Sequence, residues 1–170
     1  MRHALHVRDA RGDDWRTMEW IFRDAGKAAW SDILAEDSLA ALNPPDRWYR
    51  AIFSKDPRVH VFSVEAEAQV IGFVAIRPSE DEGALPLTVE IDGFYTDPKF
   101  WGRGAGQLLM ARALEAAKEA RYLRATLWTE ERNTRPRRFY ELNGWRLDGG
   151  VRERTVHGSA LRELRYFREL

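Results

Sequence analysis

The segment from Leu87 to Thr129 limits the possible folds more than any other part of the chain. It begins with a run rich in β-branched and aromatic residues up to Thr96 and ends with a second such run over 123–129, so both ends are predicted strands. Between them, a glycine-rich turn opens a helical pattern that continues to about Ala120. A strand, a helix and a strand in this order require a crossover connection, which predicts a parallel pair of strands.

Shorter runs on either side of this segment predict further strands that follow one another directly. Alternating residues 4–9 predict the first strand, and runs at 59–65 and 70–77, joined by a short polar connection, predict a hairpin. Two more strands are expected near 145–152 and 160–168. Because strands that are neighbours in the chain favour antiparallel pairing, the sheet is predicted to be mixed and mainly antiparallel.

Three helices are predicted besides the one that follows the glycine turn. Asp13 and Asp14 are candidate N-caps of the first, since short polar side chains accept from the free amides of a helix start. Its apolar face, at helical spacing, comprises Trp15, Met18, Phe22, Ala25 and Ala29. A short helix is expected after Asp46 and another over 135–143. The predicted fold class is therefore α/β, a mixed α+β sandwich of about seven strands and about four helices.

Composition indicates one domain with an ordinary core. The chain has 170 residues without a repeat or a long linker, so residues 1–170 are assigned to a single domain. Seven Trp and eight Phe can fill its core. Cysteine is absent, and the four histidines, His3, His6, His60 and His157, lack the spacing of metal ligands. Neither a metal site nor a thiol nucleophile is expected.

Charge and hydropathy argue against two classes of partner. Lys and Arg together number 27, as do Asp and Glu, so no net field draws the protein to nucleic acid or to an acidic membrane. Residues 1–14 contain no apolar region typical of a signal peptide, and no stretch approaches the length of a membrane span. The expectation is a cytoplasmic protein, monomeric or homodimeric, without nucleic-acid or membrane partners.

Three glycines at alternate positions, Gly102, Gly104 and Gly106, stand where a strand passes into a helix. Glycine permits positive φ and lets a ligand approach without a Cβ in its path. The first amides of a helix lack internal partners and carry the positive end of its dipole, which favours a phosphate. A P-loop would need Gly-Lys-Ser/Thr here, and a dinucleotide fingerprint would need GxGxxG directly after the strand. A tight turn without a ligand is the alternative to a phosphate site.

The residues around this turn carry a resemblance to a known family. The run from Trp101 to Gly106 resembles the acyl-CoA loop Q/R-x-x-G-x-G/A of the GNAT superfamily of N-acetyltransferases, with Trp101 in place of Gln or Arg. Glu90 stands eleven positions before Trp101, where that family often has an acidic residue. The run from Asn133 to Trp145 is similar to the family pattern N-x-x-A-x-x-F-Y-x-x-x-G-F. The similarity covers roughly residues 59–150.

The resemblance implies an acetyl-CoA-dependent N-acetyltransferase with a V-shaped splay between strands four and five. It suggests a bulge at Gly93 that opens the splay, and pairing of the pantetheine arm with main-chain groups of Phe94 and Thr96. Backbone amides of the glycine loop bind the phosphates in this family, so these contacts survive the change at Trp101. The residues expected to bind acetyl-CoA are Phe94, Tyr95, Thr96, Trp101, Gly102, Arg103, Gly104, Ala105, Gly106, Gln107, Asn133 and Arg138.

Acetylation of an amine also requires a base and an acid. Deprotonating a lysine-like amine at pH 7 costs about 4.6 kcal/mol, so a carboxylate that takes the proton during attack assists the reaction. Glu90 is the first candidate for this base, and Asp92, on the same face of the strand, is the second. The resemblance assigns to Tyr140 the protonation of the leaving thiolate. The structural alternatives are a salt bridge for Glu90, a core position for Tyr140 and a helix cap for Asn133.

Other interpretations and the identity of the acceptor stay open. A non-catalytic acyl-CoA-binding or regulatory module would keep the glycine loop, and an NAD-binding oxidoreductase is disfavoured by the spacing of that loop.

A cluster of arginines predicts a solvated helix face with one or two side chains near the 3′-phosphate of the coenzyme: Arg132, Arg135, Arg137 and Arg138. The family's acceptor mouth maps to residues that include Trp20, Trp30, Trp48, Arg152, Arg154 and His157. The acceptor is expected to be a primary amine of a small molecule, a peptide or a protein.

Overall fold

A computed structural model describes residues 4–170, so His3 lies outside the described part. Within this range seven strands form one sheet, and five α-helices accompany it. The strands are β1 (Leu5–Asp9), β2 (His60–Ala66), β3 (Gln69–Pro78), β4 (Thr88–Thr96), β5 (Arg124–Glu130), β6 (Arg146–Val156) and β7 (Ser159–Glu169). The helices are α1 (Trp15–Trp30), α2 (Glu36–Ala40), α3 (Asp46–Ile52), α4 (Ala105–Glu119) and α5 (Thr134–Leu142). No helix of the described chain is both long and apolar enough to cross a membrane.

The predicted fold class is confirmed, with one helix missed. The order of the elements follows the sequence pattern, and the sheet is mixed and mainly antiparallel. Helix α2 was not predicted, which makes five α-helices in residues 4–170 instead of about four. This helix has only five residues and ends just before Asn43-Pro44-Pro45, so it is too short to repeat an apolar spacing.

The central feature of the sheet is the parallel pair β4 and β5. The strand order is β1-β2-β3-β4-β5-β7-β6, and α4 provides the crossover between the two parallel strands. They pair only at their beginnings, where Thr88 lies opposite Arg124 and Glu90 opposite Thr126. Beyond Glu90 both strands continue, but they separate. The predicted splay between the fourth and fifth strands is therefore confirmed.

A bulge directs the second half of β4 away from β5. Ile91 pairs with Ile76 and Gly93 pairs with Ala75, so Asp92 is an extra residue without a partner on β3. One extra residue bends its strand and increases the local twist. The bulge predicted next to Gly93 is thus confirmed, and it lies at the point where the parallel pairing stops.

Two apolar cores cover the two faces of the sheet. On one face, α4 packs on the central strands through side chains such as Leu109 and Ala113. On the other face, α1 and α3 pack through Met18, Ile21 and Trp48. The sheet therefore has helices on both sides, and the gap between β4 and β5 is the place where a ligand can enter between them.

The start of α1 differs from the sequence prediction. Asp14 occupies the N-cap position, but its side chain makes no capping bond to α1 among the described residues. Its carboxylate accepts instead from the peptide N–H of Arg11 at 2.8 Å and from the guanidinium of Arg8 at 2.7 Å. Because Arg8 also reaches Glu65 on β2, Asp14 connects the beginning of α1 to β1 and β2. Asp46 is the first residue of α3, where Pro45 is the N-cap.

Glycine at position 93 is required by the ring of Trp48. A Cβ on Gly93 would lie 2.7 Å from Cζ2 of Trp48, which is closer than carbon atoms approach one another in proteins. The indole is only 3% exposed, and its Nε1 donates to Oδ2 of Asp92 at 2.8 Å. Helix α3 is therefore held directly against the bulge of β4.

Gly93→Ala is expected to lower the free energy of unfolding by about 1–3 kcal/mol, because overpacking forces the buried indole to move. The measurement is urea unfolding of the wild type and of the variant. In a Trp48→Leu background the same Gly93→Ala change should cost less, since the obstructing ring is absent. An equal cost in both backgrounds would contradict the contact with Trp48 as its cause.

Candidate active site

The separation of β4 and β5 opens a cleft of about 650 Å³. The first turn of α4 and the start of α5 line one part of it, and α1, α3 and the hairpin of β6 and β7 line the other. Fourteen of the fifteen predicted site residues line this cleft: Glu90, Asp92, Tyr140, Phe94, Tyr95, Thr96, Trp101, Gly102, Gly104, Ala105, Gly106, Gln107, Asn133 and Arg138. The exception is Arg103, whose guanidinium lies 5.3 Å from the ring centroid of Phe100.

The glycine turn presents unpaired amides to the cleft. Gly102 and Gly104 have φ values of 76° and 91°, and a Cβ on either would meet no atom of the described chain within 4 Å. The first main-chain hydrogen bond of α4 runs from Leu108 N to Gly104 O at 3.1 Å. The amides of residues 105–107 precede that bond and have no helical acceptor within the described chain. The turn therefore offers free donors, a positive helix end and open space, as an anion site requires.

The third glycine of the turn serves packing. Gly106 has no positive φ, and a Cβ there would lie 3.3 Å from Cζ of Phe94. The ring of Phe94 also packs at centroid distances of 5.5 Å from Phe139 and 6.3 Å from Tyr140. The absence of a side chain at Gly106 thus lets the start of α4 approach β4, while α5 covers the other side of the same ring.

Trp101, the residue that departs from the family pattern, anchors the loop. Its indole Nε1 donates to the carbonyl oxygen of Thr96 at 3.0 Å. The guanidinium of Arg135 lies 4.2 Å from the centroid of its ring, a cation–π distance. The side chain of Trp101 therefore connects the glycine turn to the end of β4 and to the start of α5.

Asn133 stands at the start of α5 with its side chain unused by the helix. It is the N-cap residue, yet within residues 4–170 its side chain makes no capping hydrogen bond. Its peptide N–H donates to the carbonyl of Glu130 at 3.0 Å, which fixes the turn after β5. The side-chain amide is thus free to bind a ligand in the cleft, and the alternative of an ordinary helix cap is not supported.

The four arginines of this region divide into two pairs. Arg132 binds the carboxylate of Glu130 at 2.7 Å, and Arg137 donates to a tyrosine hydroxyl and to a nearby main-chain carbonyl. Arg135 and Arg138 line the cleft. Only the second pair is therefore placed to meet a phosphate group there.

Tyr140 combines a buried ring with a free hydroxyl. Its ring packs against Trp145 and Tyr166 at centroid distances of 6.2 and 5.8 Å, and the residue is 6% exposed. Within the described chain the hydroxyl has no hydrogen-bond partner, although it belongs to a residue that lines the cleft. Burial, followed by the nearby tyrosines, raises the pKa of Tyr140 above its ordinary value, so the phenol stays protonated at neutral pH.

Glu90 is a buried carboxylate with little stabilisation of its charge. The residue is 6% exposed, and the nearest cation is Arg77, with Nη2 3.5 Å from Oε2 of Glu90. Burial, followed by the negative charge of Asp92, raises the pKa of Glu90 to about 7, and Arg77 only partly offsets this rise. Near neutral pH the group therefore exchanges a proton readily, which is the property that a general base needs.

Asp92, two residues further along the strand, has the opposite electrostatic environment. Its oxygens accept from Nε and Nη2 of Arg47 at 2.7 and 2.8 Å and from the indole of Trp48 at 2.8 Å. Burial alone would raise the pKa of Asp92, but the hydrogen bonds and charges of Arg47 and Arg77 lower it below its ordinary value. Asp92 therefore stays ionised and bonded, a state that suits positioning of α3 better than proton transfer.

Sequence analysis did not identify Arg77, the cation between these two carboxylates. Arg77 lies opposite Glu90 in the register of β3 and β4, and its Nε is 3.4 Å from Oδ2 of Asp92. Its Nη1 binds Glu80 at 2.7 Å on the outer side. An arginine at the end of a predicted strand gives no signal of its own, because the contact depends on the register with a distant segment.

Most of the residues predicted for the acceptor mouth line the cleft. The cleft is lined by Trp30, Trp48, Arg152, Arg154 and His157. Trp20 is not among the lining residues: it is 43% exposed, and Nζ of Lys99 lies 5.5 Å from its ring centroid. No group of three or more His, Asp or Glu residues in the described chain is arranged to hold a metal ion.

Comparison with known proteins gives relatives that share this architecture. An uncharacterized N-acetyltransferase of Mycobacterium tuberculosis is 27% identical over 99 residues, which are 58% of this chain and 60% of that protein. The chain thus spans about 60% of the length of the first curated relatives that it matches.

Solved structures extend the likeness of fold to nearly the whole chain. The PaiA N-acetyltransferase from Thermoplasma acidophilum in complex with coenzyme A has a TM-score of 0.78 and 16% identity, with 98% of this chain and 99% of that one covered. YncA, a putative acetyltransferase from Salmonella typhimurium with its cofactor acetyl-CoA, has a TM-score of 0.72 and 21% identity, with 98% and 94% covered. At these identities the likeness concerns the fold alone.

The family model described as the acetyltransferase (GNAT) family matches residues 15–145. This range contains the splayed strands, the glycine turn, Glu90 and Tyr140. Because the match covers well over half of the 170 residues, the chain belongs to the acetyltransferase (GNAT) family.

Proposed function

We propose that this protein transfers the acetyl group of acetyl-CoA to a primary amine, which attacks the thioester directly in a ternary complex. One observation supports this most: a buried carboxylate with a raised pKa, Glu90, lines the same cleft as the free amides of the glycine turn. A base for an amine and a site for an anionic coenzyme are thereby brought together. On this proposal residues 1–170 act as one N-acetyltransferase domain.

The donor half of the cleft fits coenzyme A in three ways. The amides at the start of α4 suit the pyrophosphate, because they are unpaired and lie at the positive end of the helix. Arg135 and Arg138 line the cleft nearby and suit the 3′-phosphate. The edge of β4 beyond Glu90 has no neighbouring strand in the described chain, so its main-chain groups are available to the amides of the pantetheine arm. Both structural relatives above were solved with coenzyme A or acetyl-CoA.

The ammonium form of the acceptor first releases one proton to solvent. The neutral amine then attacks while Glu90, directly or through a water molecule, takes a second proton from its nitrogen. As the nitrogen bonds to the carbonyl carbon, the carboxylate takes one proton and the carbon–sulfur bond then breaks. With a pKa of about 7, roughly half of the Glu90 carboxylates are ionised at neutral pH. Asp92, which was the second candidate, positions Trp48 and Arg47 in this proposal, because its own oxygens are already bonded.

Tyr140 supplies the proton that the leaving sulfur requires. A thiol has a pKa near 8.5 and a phenol near 10, so even an unperturbed tyrosine gives up its proton to the thiolate at a cost of about 2 kcal/mol. Burial raises the pKa of Tyr140 further, which increases this cost and keeps the proton in place until the sulfur carries its full negative charge. Solvent then returns a proton to Tyr140 and removes the one on Glu90. A non-catalytic binding module would need neither residue.

The experiment that tests the proposed function is a turnover screen with acetyl-CoA across a panel of amines and peptides, with product masses read out. The expected result is that amines of one class each give a product heavier than the starting amine by the mass of one acetyl group less one hydrogen. A folded sample that neither binds acetyl-CoA nor acetylates any amine would contradict the proposal.

Gly104→Val is expected to weaken acetyl-CoA binding about 10- to 100-fold, because its side chain fills the open space in front of the helix amides. Calorimetric titration with acetyl-CoA provides the measurement. Gly83→Val is the matched control, since Gly83 also has positive φ and open space but lies away from the cleft. Both changes should cost about 1–2 kcal/mol of stability, and only the first should change affinity. If Gly104→Val bound acetyl-CoA as tightly as the wild type, the glycine turn would not be the phosphate site.

Glu90→Gln is expected to lower kcat/KM about 100- to 10,000-fold near pH 7, because the amide accepts no proton. In the wild type, kcat/KM should fall as pH drops through about 7, where Glu90 becomes protonated. The variant should lack this inflection and follow the ionisation of the amine alone. A variant that keeps the inflection near pH 7 would assign it to another group.

The same substitution should stabilise the fold above pH 7. The pKa of Glu90 is raised in the folded state, so its burial as an anion costs stability that is absent below about pH 4.5 and complete above about pH 7. Glu90→Gln removes this cost and should raise the Tm at pH 8. Glu80→Gln is the matched control, because Glu80 contacts the same arginine but its side chain is 78% exposed.

Tyr140→Phe is expected to lower kcat and leave the Kd for acetyl-CoA unchanged, because only the proton donor is removed and the ring packing is kept. Rapid-mixing kinetics, under conditions in which acetyl transfer limits the rate, give the comparison. The effect should be larger with acetyl-CoA than with an activated thioester whose thiolate leaves without a proton. An unchanged rate with both donors would restrict Tyr140 to packing.

A further inference from the structure

Two arginines on the acceptor side of the cleft share a single carboxylate. Arg152 and Arg154, both on β6, bind the same carboxylate, that of Glu163 on β7, at 2.6 and 3.1 Å. Glu163 is 5% exposed, so its charge is fully engaged by these two partners. One carboxylate compensates one guanidinium, and the second positive charge remains available in the cleft.

The neighbouring ion pairs do not supply the missing negative charge. Asp92 is bonded to Arg47, and Arg77 lies between Asp92 at 3.4 Å and Glu90 at 3.5 Å. Arg47, Arg77, Arg152 and Arg154 thus face Glu80, Glu90, Asp92 and Glu163, and only at Glu163 do two arginines share a carboxylate while neither contacts another carboxylate of the described chain. Glu80, the further partner of Arg77, is bound on the outer side with its side chain 78% exposed.

Arg154 is the arginine best placed to bind an anion. The guanidinium of Arg152 also lies 4.4 Å from the ring centroid of Trp128, so this side chain is held on two sides. Arg154 has a single contact, from Nη2 to Glu163, and its side chain is 51% exposed although it lines the cleft. Its planar guanidinium therefore keeps donors free for a second carboxylate or a similar oxyanion.

The arginine pair lies close to the proposed base. The charge of Arg152 acts on Glu90, and that of Arg154 acts on Tyr95, three residues beyond the bulge on β4. Arg152 and Arg154 are two residues apart on one strand, so both side chains point to the same face, about 7 Å apart. Glu90 and Arg154 line the same cleft, so one acceptor molecule can present its amine to the first and an oxyanion to the second.

We propose that the acceptor is a small amine that carries an oxyanion a few bonds from its nitrogen, an α-amino acid or a close analogue, with Arg154 binding the oxyanion. This inference rests on the proposed acetyltransferase function and names its substrate class. Polyamines and aminoglycosides are disfavoured, because they would bring additional positive charges beside four arginines. A lysine side chain within a protein has no oxyanion at this distance.

The test compares free L-amino acids with their carboxamides, which keep the amine and the side chain but lose the negative charge. For the best amino acid, kcat/KM should exceed that of its carboxamide about 10- to 100-fold. Spermidine and peptides with aspartate as the second residue complete the panel. Turnover that is faster with the carboxamide, the peptide or spermidine than with every free amino acid would overturn the inference.

Arg154→Gln should raise the KM of the best amino acid about tenfold and leave the kcat/KM of its carboxamide unchanged. Arg154→Lys should restore part of the loss, because it restores the charge but not the planar pair of donors. Arg146→Gln is the matched control, since Arg146 is exposed on the same strand and does not line the cleft. Equal losses for both acceptors would assign Arg154 to holding Glu163 and contradict its proposed contact with the oxyanion.

Calorimetry with acetyl-CoA separates this inference from the proposed function. Binding of acetyl-CoA together with turnover of uncharged amines alone would overturn the substrate class and retain the acetyltransferase. A folded protein without acetyl-CoA binding and without any acetylated product would contradict the proposed function itself.

Discussion

The arrangement of the cleft depends on one backbone irregularity, the extra residue at Asp92. A regular β4 would continue beside β5, and the two strands would use each other's main-chain groups. Because the bulge bends β4, the parallel pairing ends at Glu90, and the edge beyond it is left without a strand partner in the described chain. Trp48 supports this geometry from α3, and Gly93 provides the room for its ring. The cleft therefore exists because of the bulge in β4.

The bulge also explains how two acidic residues of the same strand, Glu90 and Asp92, acquire different properties. Asp92 lies where Arg47, Arg77 and Trp48 converge, and its charge is stabilised. Glu90 stands just before the bulge, where burial and then the negative charge of Asp92 raise its pKa, and the charges of Arg77 and Arg152 only partly offset this rise. The stable anion thus raises the pKa of its neighbour, a division of tasks that is common where acid–base chemistry takes place.

Much of the fold could be predicted from local patterns in the sequence, whereas the position of the cleft was predicted from the resemblance to the GNAT superfamily. Alternation and glycine spacing indicated the strands, the crossover and the turn, and the positive φ of Gly104 belongs to that turn. The tight position of Gly93 depends on Trp48, a residue distant in the chain. The contacts of Arg77, the stacking of Arg135 on Trp101 and the shared binding of Glu163 could not be predicted. Each of these depends on the register of segments far apart in the chain, which a single sequence does not specify.

The position of the last hairpin in the sheet has a consequence for how this protein can diversify. Strands β6 and β7 are added at one edge, outside β5, whereas the glycine turn and α4 belong to the crossover at the centre. The two halves of the cleft are therefore built from separate stretches of chain. Substitutions or length changes in the hairpin can alter what enters one half while the half that contains the glycine turn keeps its geometry. Selectivity for the acceptor can therefore change in evolution while the half of the cleft that suits the acetyl donor is kept.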